Sequence, residues 1–125
     1  MNYFVTGATG FIGKRLVARL LGRPDATIYF LTRAVEQSHL QDLYAYWGCD
    51  DSRAIPVVGD LTQAGLGVSK TNIRQLKGKI DHFFHLAAIY DLKASAEDQQ
   101  RANVDGTRNT VLLAEEIGAR HFHLV

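Results

Sequence analysis

The stretch Asn2-Tyr-Phe-Val-Thr6-Gly7-Ala-Thr-Gly10-Phe-Ile-Gly13 decides the fold. Asn2 to Thr6 is a short, mostly apolar run that stops at Gly7. Ile12, Leu16, Val17, Leu20 and Leu21 then recur at helical spacing, and Gly22 and Pro24 end the helix they predict. A strand therefore enters an amphipathic helix through a turn rich in glycine. The same alternation continues outward. Thr27 to Leu31 is a β-rich run, Gln37 to Trp47 a helix, and Ala54 to Val58 a third strand followed by Gly59-Asp60. Residues 61–79 hold one short helix near Ile73 to Leu76. His82 to Leu86 is a fourth strand, and Ala94 to Ile117 is helical, in one piece or two, with Gly118 as its stop. His121 to Val125 is a fifth apolar run.

This βαβαβαβαβ order predicts an α/β fold: a doubly wound parallel sheet with right-handed crossovers and helices on both faces. The strands read as continuous apolar runs, as strands covered on both faces must. In such a sheet a ligand sits in the crevice at the carboxyl ends of strands 1 and 4. Composition agrees. The 125 residues carry 14 Lys and Arg against 13 Asp and Glu, 46% hydrophobic residues, 11 glycines and 2 prolines. Those values exclude a disordered, collagen-like or disulfide-rich chain and suit one domain. A net charge of +1 gives no reason to expect nucleic acid or an anionic membrane as partner. Cys49 is the only cysteine, so an intrachain disulfide and a cysteine-based zinc site are excluded and a reducing cytosol is the expected compartment. No run approaches the roughly 18 apolar residues of a membrane span, and no signal peptide is expected.

The glycine turn has a chemical reading. Gly7 allows a tight turn, Gly10 lets the backbone approach a pyrophosphate, and Gly13 lets the helix lie close on the strand. The free N–H groups and positive dipole end of the helix then face the phosphates. The spacing is G-x-x-G-x-x-G. With its flanks, Thr6-Gly-Ala-Thr-Gly-Phe-Ile-Gly13 resembles the cofactor loop of the short-chain dehydrogenase/reductases, in particular their extended branch. Four further stretches agree in order. Gly59-Asp60-Leu61-Thr62 resembles the family's adenine-contact motif, and His85-Leu86-Ala87-Ala88 its strand-4 motif, whose backbone lines the cofactor channel. Asn103-Val104-Asp105-Gly106-Thr107 resembles its helix motif. His121-Phe122-His123-Leu124-Val125 resembles the strand before its catalytic serine.

The resemblance implies that residues 1–125 are an NAD(P)-binding Rossmann domain, incomplete at its C-terminal side. It implies cofactor contacts at Gly7, Thr9, Gly10, Phe11, Ile12 and Gly13, at Asp60 and Leu61, and at Ala87 and Ala88. The Asp60 carboxylate would accept from the adenine amino group while the Leu61 N–H donates to a ring nitrogen; an N-cap or Asx turn at Asp60 can coexist with that role. Asn103, a poor helix-interior residue, would order the active site through a water near the catalytic lysine.

Cofactor choice follows from charge. An NAD enzyme of this topology usually places a carboxylate about 20 residues on, against the ribose 2′-hydroxyl. Here Arg33 stands there, after Thr32. A guanidinium suits a 2′-phosphate, Thr32 could add a hydroxyl donor, and Lys14 and Arg15 further positive charge. NADP is therefore expected, with NAD as the alternative. No metal site is expected: His82 and His85 point to opposite faces of a strand, and His121 and His123 share a face with no carboxylate or cysteine nearby in sequence. Tyr44, Tyr46 and Trp47 read as a helix face rather than a base-stacking platform, with no basic stripe for nucleic acid.

The family's reduction uses Ser and a Tyr-x-x-x-Lys pair, in which the ammonium lowers the phenol pKa and the tyrosine protonates the substrate carbonyl. This chain holds no such pair, since Tyr90 is followed by Lys93, one residue too close. The expectation is therefore the cofactor part of a longer NADPH-dependent carbonyl or acyl-thioester reductase, with the small-molecule substrate held by a C-terminal portion. A nucleotide-sugar epimerase or dehydratase holding NAD, and a nonenzymatic dinucleotide sensor, are the alternatives. Substrate identity and oligomeric state are not encoded in these residues.

Overall fold

The computed structural model describes residues 1–33, 39–87 and 95–125. Its strands are β1 (Asn2–Thr6), β2 (Thr27–Thr32), β3 (Ala54–Val58), β4 (His82–His85) and β5 (His121–Leu124). Its helices are α1 (Phe11–Leu21), α2 (Leu40–Trp47), α3 (Lys70–Leu76) and α4 (Ala96–Glu116). The strands form one parallel sheet in the order β3-β2-β1-β4-β5. The chain winds outward from β1 in both directions, so the switch point lies between β1 and β4, as the sequence pattern requires.

As the central strand, β1 is covered on both sides, and Phe4 and Val5 are wholly buried. Alternate side chains feed two cores. Val5, Val17, Ile28, Phe30 and Trp47 belong to one. Phe4, Val57, Leu76, Ile80, Phe83, Leu113 and Ile117 belong to the other, with the Phe4 and Phe83 rings stacked 4.7 Å apart. Pro56 lies on β3, an edge strand, where its missing N–H leaves no ladder bond unmade. Two aromatics of α2 pack inward, Trp47 donating to the Lys14 carbonyl at 3.0 Å and Tyr44 to that of Ala54 at 2.9 Å, while Tyr46 is exposed. The predicted starts of α2 at Gln37 and of α4 at Ala94 lie outside the described residues.

Three details refine the sequence pattern. Helix α3 begins at Lys70, earlier than its apolar residues indicate, because the Ser69 hydroxyl accepts the Asn72 N–H at 3.1 Å. Helix α4 is one piece of 21 residues, capped by Ser95. Gly106 does not break it, because the buried face of Gly106, Thr110, Leu113 and Ala114 outweighs a propensity penalty of about 1 kcal/mol. Strand β4 ends at His85 and β5 at Leu124, one residue short of each apolar run. The stop of α4 is as expected: Gly118 has φ +68°, and the Gly118 and Ala119 N–H groups donate back to Glu115 and Ala114. No helix among the described residues is long and apolar enough to cross a membrane.

His82 stacks between Tyr3 and the histidines of β5, at 4.9 Å from the His121 ring and 5.2 Å from that of His123. Burial first, then the His121 and His123 charges, hold its pKa below 6.5. Burial does the same for His85. The unfolded chain therefore takes up protons at these positions before the folded chain does. Stability is full above about pH 6.5 and falls as pH drops from there toward the depressed folded values. Thermal denaturation is expected to show a lower midpoint at pH 5.5 than at 7.5, and His82→Phe should flatten part of that slope. A midpoint that rises on acidification contradicts the assignment.

Candidate functional site

The turn between β1 and α1 uses its three glycines differently. Gly7 has φ +80°, and a Cβ there would lie 2.6 Å from the Ala87 nitrogen. A Cβ at Gly13 would lie 1.9 Å from the Gly7 carbonyl oxygen. Both positions are demanded by the fold. Gly10 is not: its φ of −76° suits any residue, and a Cβ would meet only the Gly7 oxygen, at 3.4 Å. The turn is closed by Gly10 N–H donating to Gly7 O at 3.1 Å, and the first helical bond runs from Lys14 N–H to Gly10 O at 2.9 Å.

The peptide N–H groups of Phe11, Ile12 and Gly13 precede that bond and have no partner among the described residues. Gly10 supplies no side-chain cap, and the first turn of α1 holds no acidic residue. These donors and the positive end of the helix dipole form a place for an anion. Thr9, Gly10, Phe11 and Ile12 are exposed around it. The two basic residues that follow are engaged nearby: Lys14 Nζ lies 4.1 Å from the Tyr46 ring centroid, and the Arg15 guanidinium lies over Phe11 at 3.8 Å.

Beyond β2, Arg33 is exposed, whereas Thr32 is buried and its hydroxyl donates to the Arg33 carbonyl at 3.3 Å. Thr32 thus serves the strand end that carries Arg33. Beyond β3, Asp60 forms the Asx turn: its Oδ1 accepts both the N–H and the hydroxyl of Thr62, at 2.9 and 2.8 Å. Those bonds, with a smaller contribution from the Arg33 charge, hold the carboxyl below the usual carboxylate range. Asp60 is therefore an anion that accepts hydrogen bonds throughout the neutral range. Leu66, buried at the far end of the same turn, has φ +57°.

Beyond β4, Ala87 abuts Gly7, and Ala88 lies outside the described residues. A buried polar chain ties these ends together. The Ala87 N–H donates to Thr6 Oγ1 at 3.2 Å, Thr6 Oγ1 lies 2.6 Å from His85 Nδ1, and His85 Nε2 lies 3.4 Å from Thr107 Oγ1. Since Thr6 accepts from Ala87, the arrangement in which every hydrogen is used has Thr6 donating to Nδ1 and Nε2–H donating to Thr107. Burial keeps His85 neutral, as this requires. Thr107 is one turn along α4 from Asn103. Both line an open groove of about 570 Å³ with Ala96, Gln99, Gln100 and Val104. No group of three or more His, Cys, Asp or Glu among the described residues could hold a metal ion.

The sequence pattern does not single out the Thr6–His85–Thr107 chain, whose members meet only once β1, β4 and α4 are packed. It also passes over Asn109, which reaches the loop after β3 and bonds Leu61 O at 3.1 Å. The propensity argument that marks Asn103 applies equally to Asn109 and was the available signal.

Known proteins resemble this chain along nearly its whole length. The sequence model of the NAD-binding family described as "Male sterility protein" matches residues 5–125. A linear gramicidin synthase polypeptide of Brevibacillus parabrevis is 36% identical over 97% of this chain, which covers 2% of that protein. A putative fatty acyl-CoA reductase of Drosophila melanogaster, CG8306, is 33% identical over 93% of this chain, which covers 26% of it. Among solved structures, the terminal R domain from the myxalamid PKS-NRPS biosynthetic pathway superposes with a TM-score of 0.78 at 32% identity, over 98% of this chain and 33% of that one. The chain thus spans at most about a third of these relatives.

Proposed function

Because the chain belongs to the male sterility protein family of NAD-binding domains, within the extended short-chain dehydrogenase/reductases, we propose that it is the cofactor-binding part of an NADPH-dependent reductase acting on an acyl thioester or a related carbonyl. A nicotinamide dinucleotide is the cofactor of this family. The observation that carries its placement here is the glycine turn. Gly10 is a glycine the fold itself does not need, beside three helix N–H donors with no partner among the described residues. A pyrophosphate lying against that turn accounts for both.

In this reading Gly7, Thr9, Gly10, Phe11, Ile12 and Gly13 hold the pyrophosphate, Asp60 and Leu61 receive the adenine, Arg33 receives the 2′-phosphate, and Ala87 and Ala88 line the path toward the nicotinamide. Thr32 supports Arg33 rather than the ligand. Asn103 faces the groove on α4 and helps order the reacting end. The bound cofactor supplies hydride to a carbonyl carbon. The residues of this chain bind and orient; the proton donor is not among them. Two of the relatives are described as a putative fatty acyl-CoA reductase and as the terminal R domain from a PKS-NRPS biosynthetic pathway, which favours a thioester-bound acyl group as substrate.

The 2′-phosphate assignment has a direct test. A phosphate–guanidinium contact contributes very roughly 1.5–3 kcal/mol when well formed, or about ten- to hundredfold in affinity. Titration of the parent and Arg33→Ala with NADPH and NADH is expected to show NADPH weakened to that extent and NADH nearly unchanged. If the parent prefers NADH, or both cofactors weaken equally, the assignment fails and the NAD-holding epimerase or dehydratase reading takes its place.

A further inference from the structure

The loop after β3 is held by a residue of a distant helix, and we propose that this residue, Asn109, is a positioning residue for adenine recognition. Five consecutive peptide N–H groups carry the argument. Gly59 N–H donates to Thr32 O at 3.0 Å, and Asp60 N–H to Leu66 O at 2.6 Å. Thr62 N–H donates to Asp60 Oδ1 at 2.9 Å, and Gln63 N–H to Asp60 O at 3.1 Å. The Leu61 N–H alone among these has no partner among the described residues.

The peptide that follows Leu61 is fixed at both ends. Its N–H is that of Thr62, bound by Asp60 Oδ1, and its carbonyl is that of Leu61, which accepts from Asn109 Nδ2 at 3.1 Å. With that peptide clamped, and with Asp60 N–H held on the other side, the Leu61 N–H has little rotational freedom left. A donor fixed beforehand binds an acceptor without the entropy loss of being ordered by it. The Leu61 side chain packs on the core beneath, so the clamp acts on the backbone of an anchored residue. Asparagine is a poor choice for a helix interior, and a carboxamide that donates across to another element supplies the reason for it.

The proposal rests on the adenine reading of Asp60 and Leu61, and it deepens that reading. The ligand edge must offer a ring-nitrogen acceptor to Leu61 N–H and an amino group to Asp60, as adenine does. Hypoxanthine replaces that amino group with a carbonyl and puts a proton on the adjacent ring nitrogen. The pair NADPH and its hypoxanthine analogue therefore separates base recognition from binding of the phosphates.

The test is titration of the 125-residue chain with both ligands, for the parent, Asn109→Ala, the near-isosteric Asn109→Asp and Asp60→Ala, each checked for a folded spectrum. The parent should prefer NADPH. Asn109→Ala and Asn109→Asp should weaken NADPH by about two- to tenfold, the scale of one hydrogen bond, and leave the hypoxanthine analogue nearly unchanged. A residue that only stabilises α4 would weaken both ligands alike or neither, and that result overturns the proposal. If the parent itself does not distinguish the two bases and Asp60→Ala changes nothing, the adenine reading fails and the proposal with it. If Asp60→Ala abolishes discrimination while both Asn109 variants keep it, the reading stands and the proposal alone is overturned.

Discussion

Gly13→Ala is expected to destabilise the fold severely, while Gly10→Ala, three residues earlier, spares the fold and weakens the ligand. The added Cβ at position 13 would stand 1.9 Å from Gly7 O, 2.7 Å from Gly7 C and 3.1 Å from Ala8 Cα. All three are backbone atoms of the turn, so no flexible side chain can give way. Relief requires α1 to move off β1, and α1 carries Val17 and Leu21 into the core. Overpacking of a core usually costs about 1–3 kcal/mol, and a clash against backbone belongs at or above the top of that range. Against a typical total of about 5–15 kcal/mol, that loss is large. At Gly10 the Cβ meets one atom at an ordinary distance. The change from glycine to alanine at an N-cap costs at most about 1 kcal/mol. On the proposed reading the same methyl group obstructs the pyrophosphate, and Gly10→Val enlarges the obstruction. Urea denaturation with NADPH titration separates the two outcomes: Gly13→Ala unfolds at much lower urea, whereas Gly10→Val unfolds near the parent and binds NADPH at least about tenfold more weakly. A folded Gly10→Val with unchanged affinity would show that the turn does not hold the pyrophosphate.

The second large effect is on the rate of reduction. The 125-residue chain alone is expected to reduce carbonyl substrates at least about 10²–10⁴-fold more slowly than a longer polypeptide that adds Ser and Tyr-x-x-x-Lys, because a positioned proton donor contributes that factor. None of Tyr3, Tyr29, Tyr44, Tyr46 and Tyr90 has a lysine four residues on. Two of their hydroxyls are committed elsewhere: Tyr3 donates to the Met1 sulfur and Tyr44 to the Ala54 carbonyl. Burial, then the charges of Asp51, Cys49 and Asp50, push the Tyr44 pKa up, away from what a proton donor near neutrality needs. Loss of NADPH absorbance with a thioester or aldehyde substrate measures the rate. Robust turnover by this chain would mean that its acid lies among residues assigned to packing or cofactor binding.

Much of this was legible in the residues. The alternation of apolar runs and helical spacing placed every strand, because a sheet covered on both faces leaves no other pattern for Asn2–Thr6 or Ala54–Val58. The glycine spacing placed the turn, because only glycine tolerates the backbone approach at Gly7 and Gly13. Less legible were features created by distant packing. Asn109 reaches a loop 48 residues away, and Thr6, His85 and Thr107 meet only when three elements are assembled. The extension of α3 back to Lys70 depends on a single serine hydroxyl, a signal weaker than the apolar period that placed its centre. Sequence position suggests the Thr32 hydroxyl as a donor to the phosphate; the fold adds that it is buried and bonds the Arg33 carbonyl, while Arg33 itself is exposed.

The central claim is that one dinucleotide lies along the turn after β1 and reaches the loop after β3. Backbone amide mapping by NMR during NADPH titration tests it most directly, since the donors named here are themselves the reporters. Saturable binding that shifts the amides of Phe11, Ile12, Gly13 and Leu61 together is the predicted result. Saturable binding that leaves those four amides unmoved, or no binding at all by the folded chain, would contradict it.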